Sequence, residues 1–235
     1  MLILKRLLFL GAVFVAASAM VMAQSRTSSD RELSVEQSYL QESVELMIIR
    51  EQSRAESRDM KLVALEYIGD AIGRGNKSDE IRAVLEYLSM EGVLNKTMEN
   101  GRVINNYPDV RLRAATQLGQ LGTPEAKDAL IKMTRMDTEP MVITEAIKSL
   151  ATIGLNDNDE TIAAISWVVD RFNTLNPDNL MALIAVNAFE KFAAANNGIL
   201  SEDARRTIYL IVNNGAYERS VRDRARQLVS LRRPQ

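Results

Sequence analysis

The chain has 235 residues, 46% hydrophobic and only 5% aromatic, with 29 basic against 31 acidic side chains and a net charge of −2. That balance excludes a general nucleic-acid binder, and the absence of both histidine and cysteine removes the commonest general base, the thiol nucleophile and the usual zinc ligands. Few aromatics and five prolines suit long helices packed through small residues in one elongated domain.

Residues 1–23 read as a secretory signal peptide. Lys5 and Arg6 give a positive start, Leu7 to Val21 an apolar stretch, and Val21, Met22 and Ala23 a cleavage site, with the cut after Ala23. A retained anchor helix is the competing reading, because Leu2 to Leu4 lengthen the apolar run. Without cysteine the chain cannot carry a lipid-modified cysteine or a disulfide, which fits an exported bacterial protein of the periplasm or cell envelope. Cleavage takes Lys5 and Arg6 away and moves the net charge to about −4. Residues 24–33 are polar and serine-rich and are expected to form a flexible linker. Over 34–56, Ser34 and Gln37 resemble a capping box, and Tyr39, Leu40, Val44, Met47 and Ile48 continue at helical spacing. This segment is the expected N-terminal capping helix of a repeat domain at 57–235.

From residue 57 to 235 one pattern recurs. Its first position is Met60, Val110, Val142, Met181 and Val221, spaced 50, 32, 39 and 40 residues apart. Four residues later stands Ala64, Ala114, Ala146, Ala185 or Ala225, and eight residues later Ile68, Leu118, Leu150, Phe189 or Val229. An alanine held at one helical position in every copy means that neighbouring backbones approach too closely for a larger side chain. Gly69 and Gly119 stand nine residues after it, and Gly122 and Gly154 end two of the helices.

The run containing Val110, Arg111, Ala114, Ala115, Leu118, Gly119, Leu121 and Gly122 resembles the first helix of a HEAT repeat, a family of helical-pair repeats of roughly 40 to 47 residues. The likeness extends from Met60 onward, although Lys61 and Ala182 stand where Arg111 does and the copy at Val221 lacks the closing glycine. The resemblance implies an all-α, right-handed alpha-alpha superhelix of about four and a half helix pairs with the capping helix, about eleven helices in all. It also implies a concave face lined by the second helices, which binds another macromolecule.

The remaining elements fall between these landmarks. Ser78 is expected to cap a second helix that buries Ile81, Val84, Leu85 and Leu88. Met90 to Pro108 is a long connection, too apolar for a solvated loop, expected to be a short helix or a loop folded back on the stack, with a binding loop as the other reading. Thr123, Pro124 and Glu125 open the next second helix. The acids from Asn156 to Glu160 read as helix capping, since an EF-hand would need a glycine where Thr161 stands. In the helix after them Ile162, Ile165, Val169 and Phe172 form the buried stripe, and Trp167 projects away from it near Ala163, Arg171 and Thr174. Packing between repeats and a partly exposed ligand anchor are both open to this tryptophan. Asn176, Pro177 and Asp178 start the fourth pair, and the last helix carries Arg219, Arg222, Arg226 and Arg233 on one side.

With no catalytic motif and no phosphate loop, the sequence points to a non-catalytic scaffold without cofactor or metal, binding a protein partner of the cell envelope and no nucleic acid. Trp167 and Arg171 are the candidate protein-binding residues, because tryptophan and arginine dominate interface energetics. The alternative is a peripheral binder of an anionic surface, a lipid headgroup or an acidic partner, through Arg219, Arg222, Arg226 and Arg233.

Overall fold

A computed structural model describes residues 34–230. The expected signal peptide at 1–23, the linker at 24–33 and Arg233 lie outside the described residues. The chain divides into two units, Met1–Val44 and Glu45–Gln235. Helix α1, Val35–Arg54, crosses that boundary. In the first unit the described residues are the start of α1, where Leu40 and Val44 are exposed.

The second unit holds the repeats. Its helices are α2 (Arg58–Gly73), α3 (Asp79–Leu88), α4 (Pro108–Leu121), α5 (Pro124–Met136), α6 (Pro140–Ile153), α7 (Glu160–Leu175), α8 (Asn179–Ala195), α9 (Glu202–Asn213) and α10 (Arg219–Ser230). They form two layers. One is the succession α2, α4, α6, α8, α10, each helix packed on the next, and the other is α3, α5, α7, α9. Helix pairs joined by short turns therefore stack in chain order, as a solenoid requires. Ten α-helices are present among the described residues, against about eleven expected.

Local chemistry sets the helix ends. Pro108, Pro124 and Pro140 each stand in the first turn of a helix, where the missing N–H costs nothing, and Thr123 accepts a hydrogen bond from the Ala126 amide at 3.2 Å. Gly122 and Gly154 close α4 and α6 with φ of 71° and 75°, a left-handed conformation that costs other residues strain. Ser78 departs from expectation: it precedes α3, but its hydroxyl makes no cap bond, while its own amide donates to Asn76 Oδ1 at 3.0 Å.

The first layer is held together at the recurring alanines. Ala64, Ala114, Ala146, Ala185 and Ala225 are all fully buried, and Ile68, Leu118, Leu150 and Phe189 beside them are too. Each such aliphatic or aromatic side chain removed from water contributes about 1.5 to 3 kcal/mol. At Gly119 a Cβ would lie 2.8 Å from both Cβ and Oγ of Ser149, so α4 and α6 touch almost backbone to side-chain root. Met60 is the exception in the pattern. It is 46% exposed, whereas Val110, Val142, Met181 and Val221 are buried. The reason is the missing neighbour: no helix of this layer precedes α2 among the described residues, so Met60, Val63 and Tyr67 keep an open side.

The sequence shows no strand pattern, yet Met98–Glu99 (β1) and Arg102–Val103 (β2) pair antiparallel, with Met98 opposite Val103. Asn100 and Gly101 take positive φ at the turn, which suits the twist of a tight hairpin. The hairpin belongs to the Met90–Pro108 connection, which is anchored by a buried polar seam. Glu91 receives Lys61 Nζ at 3.2 Å and Asn105 Nδ2 at 2.7 Å, while Arg111 donates to the Glu91 carbonyl at 3.0 Å and to Asp137 at 2.7 Å. Lys61 and Arg111 occupy the same repeat position, so one buried cation from each of two successive first-layer helices turns toward this connection. Leu94, Met98 and Ile104, by contrast, remain exposed on it.

Candidate protein-binding face

Helix α7 is positioned from its first residue. A 3-10 turn at Asp157–Asp159 precedes it, Asn156 Oδ1 accepts the Ile162 amide at 3.1 Å, and Asn156 Nδ2 donates to Asp159 at 2.8 Å. Capping therefore falls to Asn156, while Asp157 and Glu160 do something else: both reach Lys127 of α5. The hydrogen bond to Glu160 is the main reason the Lys127 ammonium holds its proton above the ordinary lysine range, with Asp157 adding to it against the cost of burial. Among the described residues no group of three or more His, Cys, Asp or Glu side chains is arranged to hold a metal ion.

Neighbours on several sides of α7 bury Ile162, Ala164, Ile165, Val168, Val169 and Phe172. Trp167 lies on the side they leave, 47% exposed. The Arg171 guanidinium stands 5.7 Å from the Trp167 ring centroid and 5.7 Å from that of Phe172. An arginine one turn after a tryptophan falls on the same helical face, and the ring's negative face attracts it. Arg171 makes no ion pair or hydrogen bond with another described side chain.

A residue that sequence reasoning missed joins them. Counted from the residue that precedes each helix, Trp167 is the eighth after Asp159 and Tyr209 the eighth after Ser201, so the two aromatics hold the same place on neighbouring second-layer helices. Tyr209 is 54% exposed, and Leu210 beside it is also exposed. Asp170 links α7 to α9 by accepting the Thr207 hydroxyl at 2.8 Å and Arg206 at 3.3 Å. Asn214 donates to Asn173 at 3.0 Å near the other end. Counting from the helix starts was the available signal; hydrophobic periodicity alone does not single out an exposed tyrosine.

The terminal arginines are arranged differently. Arg219 is almost fully exposed and lies 3.5 Å from Asp223, which also pairs with Arg226 at 2.6 Å. Arg222 is half-buried, and Arg224, outside the expected stripe, turns back to Glu190 and Asn187 of α8. One carboxylate thus sits within the stripe and takes up part of its charge. Trp167 and Arg171 come together; the arginine set is interrupted. Among the described residues no helix is long and apolar enough to cross a membrane.

Residues 104–185 match the family model for HEAT repeats, which takes in α4, α5, α6, α7 and the start of α8. No curated protein and no solved structure gives a match. HEAT repeats in general serve as protein-interaction scaffolds. The recurring alanines, the glycine stops and the two stacked layers agree with that match, and residues 104–185 belong to the HEAT-repeat family.

Proposed function

We propose that this protein is a non-catalytic scaffold, exported and released near Ala23 into the periplasm or cell envelope, that binds a protein partner through the face formed by its second helices. The observation that carries this reading is the Trp167–Arg171 pair: a large aromatic surface held at the solvent boundary, with a guanidinium stacked beside it and free to receive a partner's carboxylate or carbonyl. Such residues supply the largest interface contributions, often about 2 kcal/mol or more when central. Tyr209 extends the same face onto α9. Export rests on the charge and apolar pattern of residues 1–23 and on the absence of cysteine.

A pull-down from envelope extract tests the face with three proteins: wild type, Trp167→Ala, and a variant with Arg219, Arg222 and Arg226 changed to glutamate. Loss of the partner from the tryptophan variant, with retention by the glutamate variant even at raised salt, is the expected result. The reverse pattern assigns binding to the terminal helix and an anionic partner surface. N-terminal sequencing of protein from fractionated cells tests export separately: a chain that begins at Met1 and pellets with membranes defeats it.

A further inference from the structure

A groove of about 490 Å³ lies at the first end of the second layer, between the C-terminal half of α1 and α3. Its walls are Leu46, Ile49, Ala83 and Val84, with Tyr87 at one end. That volume lies within the range of small-molecule sites, and an apolar lining with a few placed polar groups is what such sites share. Arg50 and Arg54, one turn apart on α1, line it and are exposed. Neither makes an ion pair or a side-chain hydrogen bond with another described residue. On α3 the charge changes sign: Glu80 lies in the first turn and Tyr87 seven residues later, about 10 Å along the axis. Burial raises the Tyr87 phenol above its ordinary pKa, Glu91 adds to this, and the nearby charge of Arg54 opposes it, which places Arg54 at the Tyr87 end. The groove is therefore polarised, with Arg54 beside Tyr87, Arg50 one turn before it on α1, and Glu80 two turns from Tyr87 on α3.

We infer that this groove binds an anionic amphiphile, an apolar chain laid along Leu46, Ile49, Ala83 and Val84 with its anionic head held by Arg50, Arg54 and the Tyr87 hydroxyl. The fit is of shape and charge together. The apolar walls accept a slender chain, two guanidiniums without an ion pair among the described residues offer donors that match a carboxylate, and Glu80 disfavours the opposite orientation. This site is separate from the Trp167 face and does not depend on it.

Calorimetric titration of the full chain with monomeric dodecanoate tests the inference, with dodecanol as the uncharged control and phosphatidylglycerol vesicles as the membrane control. The expected result is saturable 1:1 binding of dodecanoate, weaker binding of dodecanol, and no need for vesicles. Arg50→Glu with Arg54→Glu changes only exposed heads and is expected to weaken dodecanoate about tenfold. Ala83→Trp, at an exposed position on the wall, is expected to abolish binding by filling the groove, with the far-UV circular dichroism spectrum unchanged. Absence of saturable binding, equal affinity for dodecanol and dodecanoate, or binding to vesicles alone overturns the inference. So does dodecanoate binding that survives both variants.

Discussion

The α4–α6 contact and the first end of the stack are built from the same sequence pattern and behave oppositely. At α4 and α6 every patterned position is filled from both sides: Val110, Ala114, Leu118, Val142, Ala146 and Leu150 are fully buried, and Gly119 meets Ser149. In α2 the alanine and isoleucine of the pattern are just as buried, but Met60 is open to solvent because nothing in its layer precedes it. A repeat position is a promise of burial that only the neighbouring repeat can keep.

Five substitutions sharpen or break that contrast. The largest effect is expected from Asp137→Ala, which leaves the Arg111 guanidinium buried without its carboxylate and strips the acceptor from the Thr138 and Glu139 amides. A loss of about 3–5 kcal/mol in urea denaturation is expected, and a loss below about 1 kcal/mol would mean the seam is solvated. Met181→Ala, at the same repeat position as Met60 but fully covered, is expected to cost about 2–5 kcal/mol by the same measurement. Gly119→Leu drives a side chain into Ser149 and is expected to cost about 1–3 kcal/mol, read as a lowered Tm; an unchanged Tm would show that α4 and α6 can part without penalty. Thr123→Ala removes one cap bond and is expected to cost about 1 kcal/mol. Smallest is Met60→Ala, within about 0.5 kcal/mol of wild type. If Met60 and Met181 proved equally costly, something would cover α2 in solution and the contrast between the two regions would fail.

How much of this was legible depended on whether the cause was local. The helix start at Pro124, the stops at Gly122 and Gly154, and the small residues at Ala114 and Ala146 announce themselves, because caps, left-handed backbone and close packing each demand particular residue types. The exposure of Met60 did not, since its cause is an absent neighbour. Nor did the hairpin at Met98–Val103, whose two-residue strands are too short for alternation to show and whose Asn100–Gly101 turn was the sole local sign. Ser78 had the right residue type for a cap, and residue type does not fix the rotamer that would bring its hydroxyl onto the first turn. At the candidate face Trp167 and Arg171 could be placed on one side of a helix by arithmetic, whereas Tyr209 needed both the count from the helix starts and the pairing of α7 with α9. The groove between α1 and α3 joins residues from separate segments and had no signature in either.

The bonds from Lys127 to Asp157 and Glu160 fasten one helix pair to the next. They tie the start of α7 to α5, and their two acids, 69% and 43% exposed, are within reach of dissolved ions. The Lys127 side chain itself is only 6% exposed, so ions reach the joint from the acid side alone and screen it less than they would a surface pair. The tie between the second and third pairs is thus a latch closed from inside the stack, with its lysine held in the packed layer and its acids facing out.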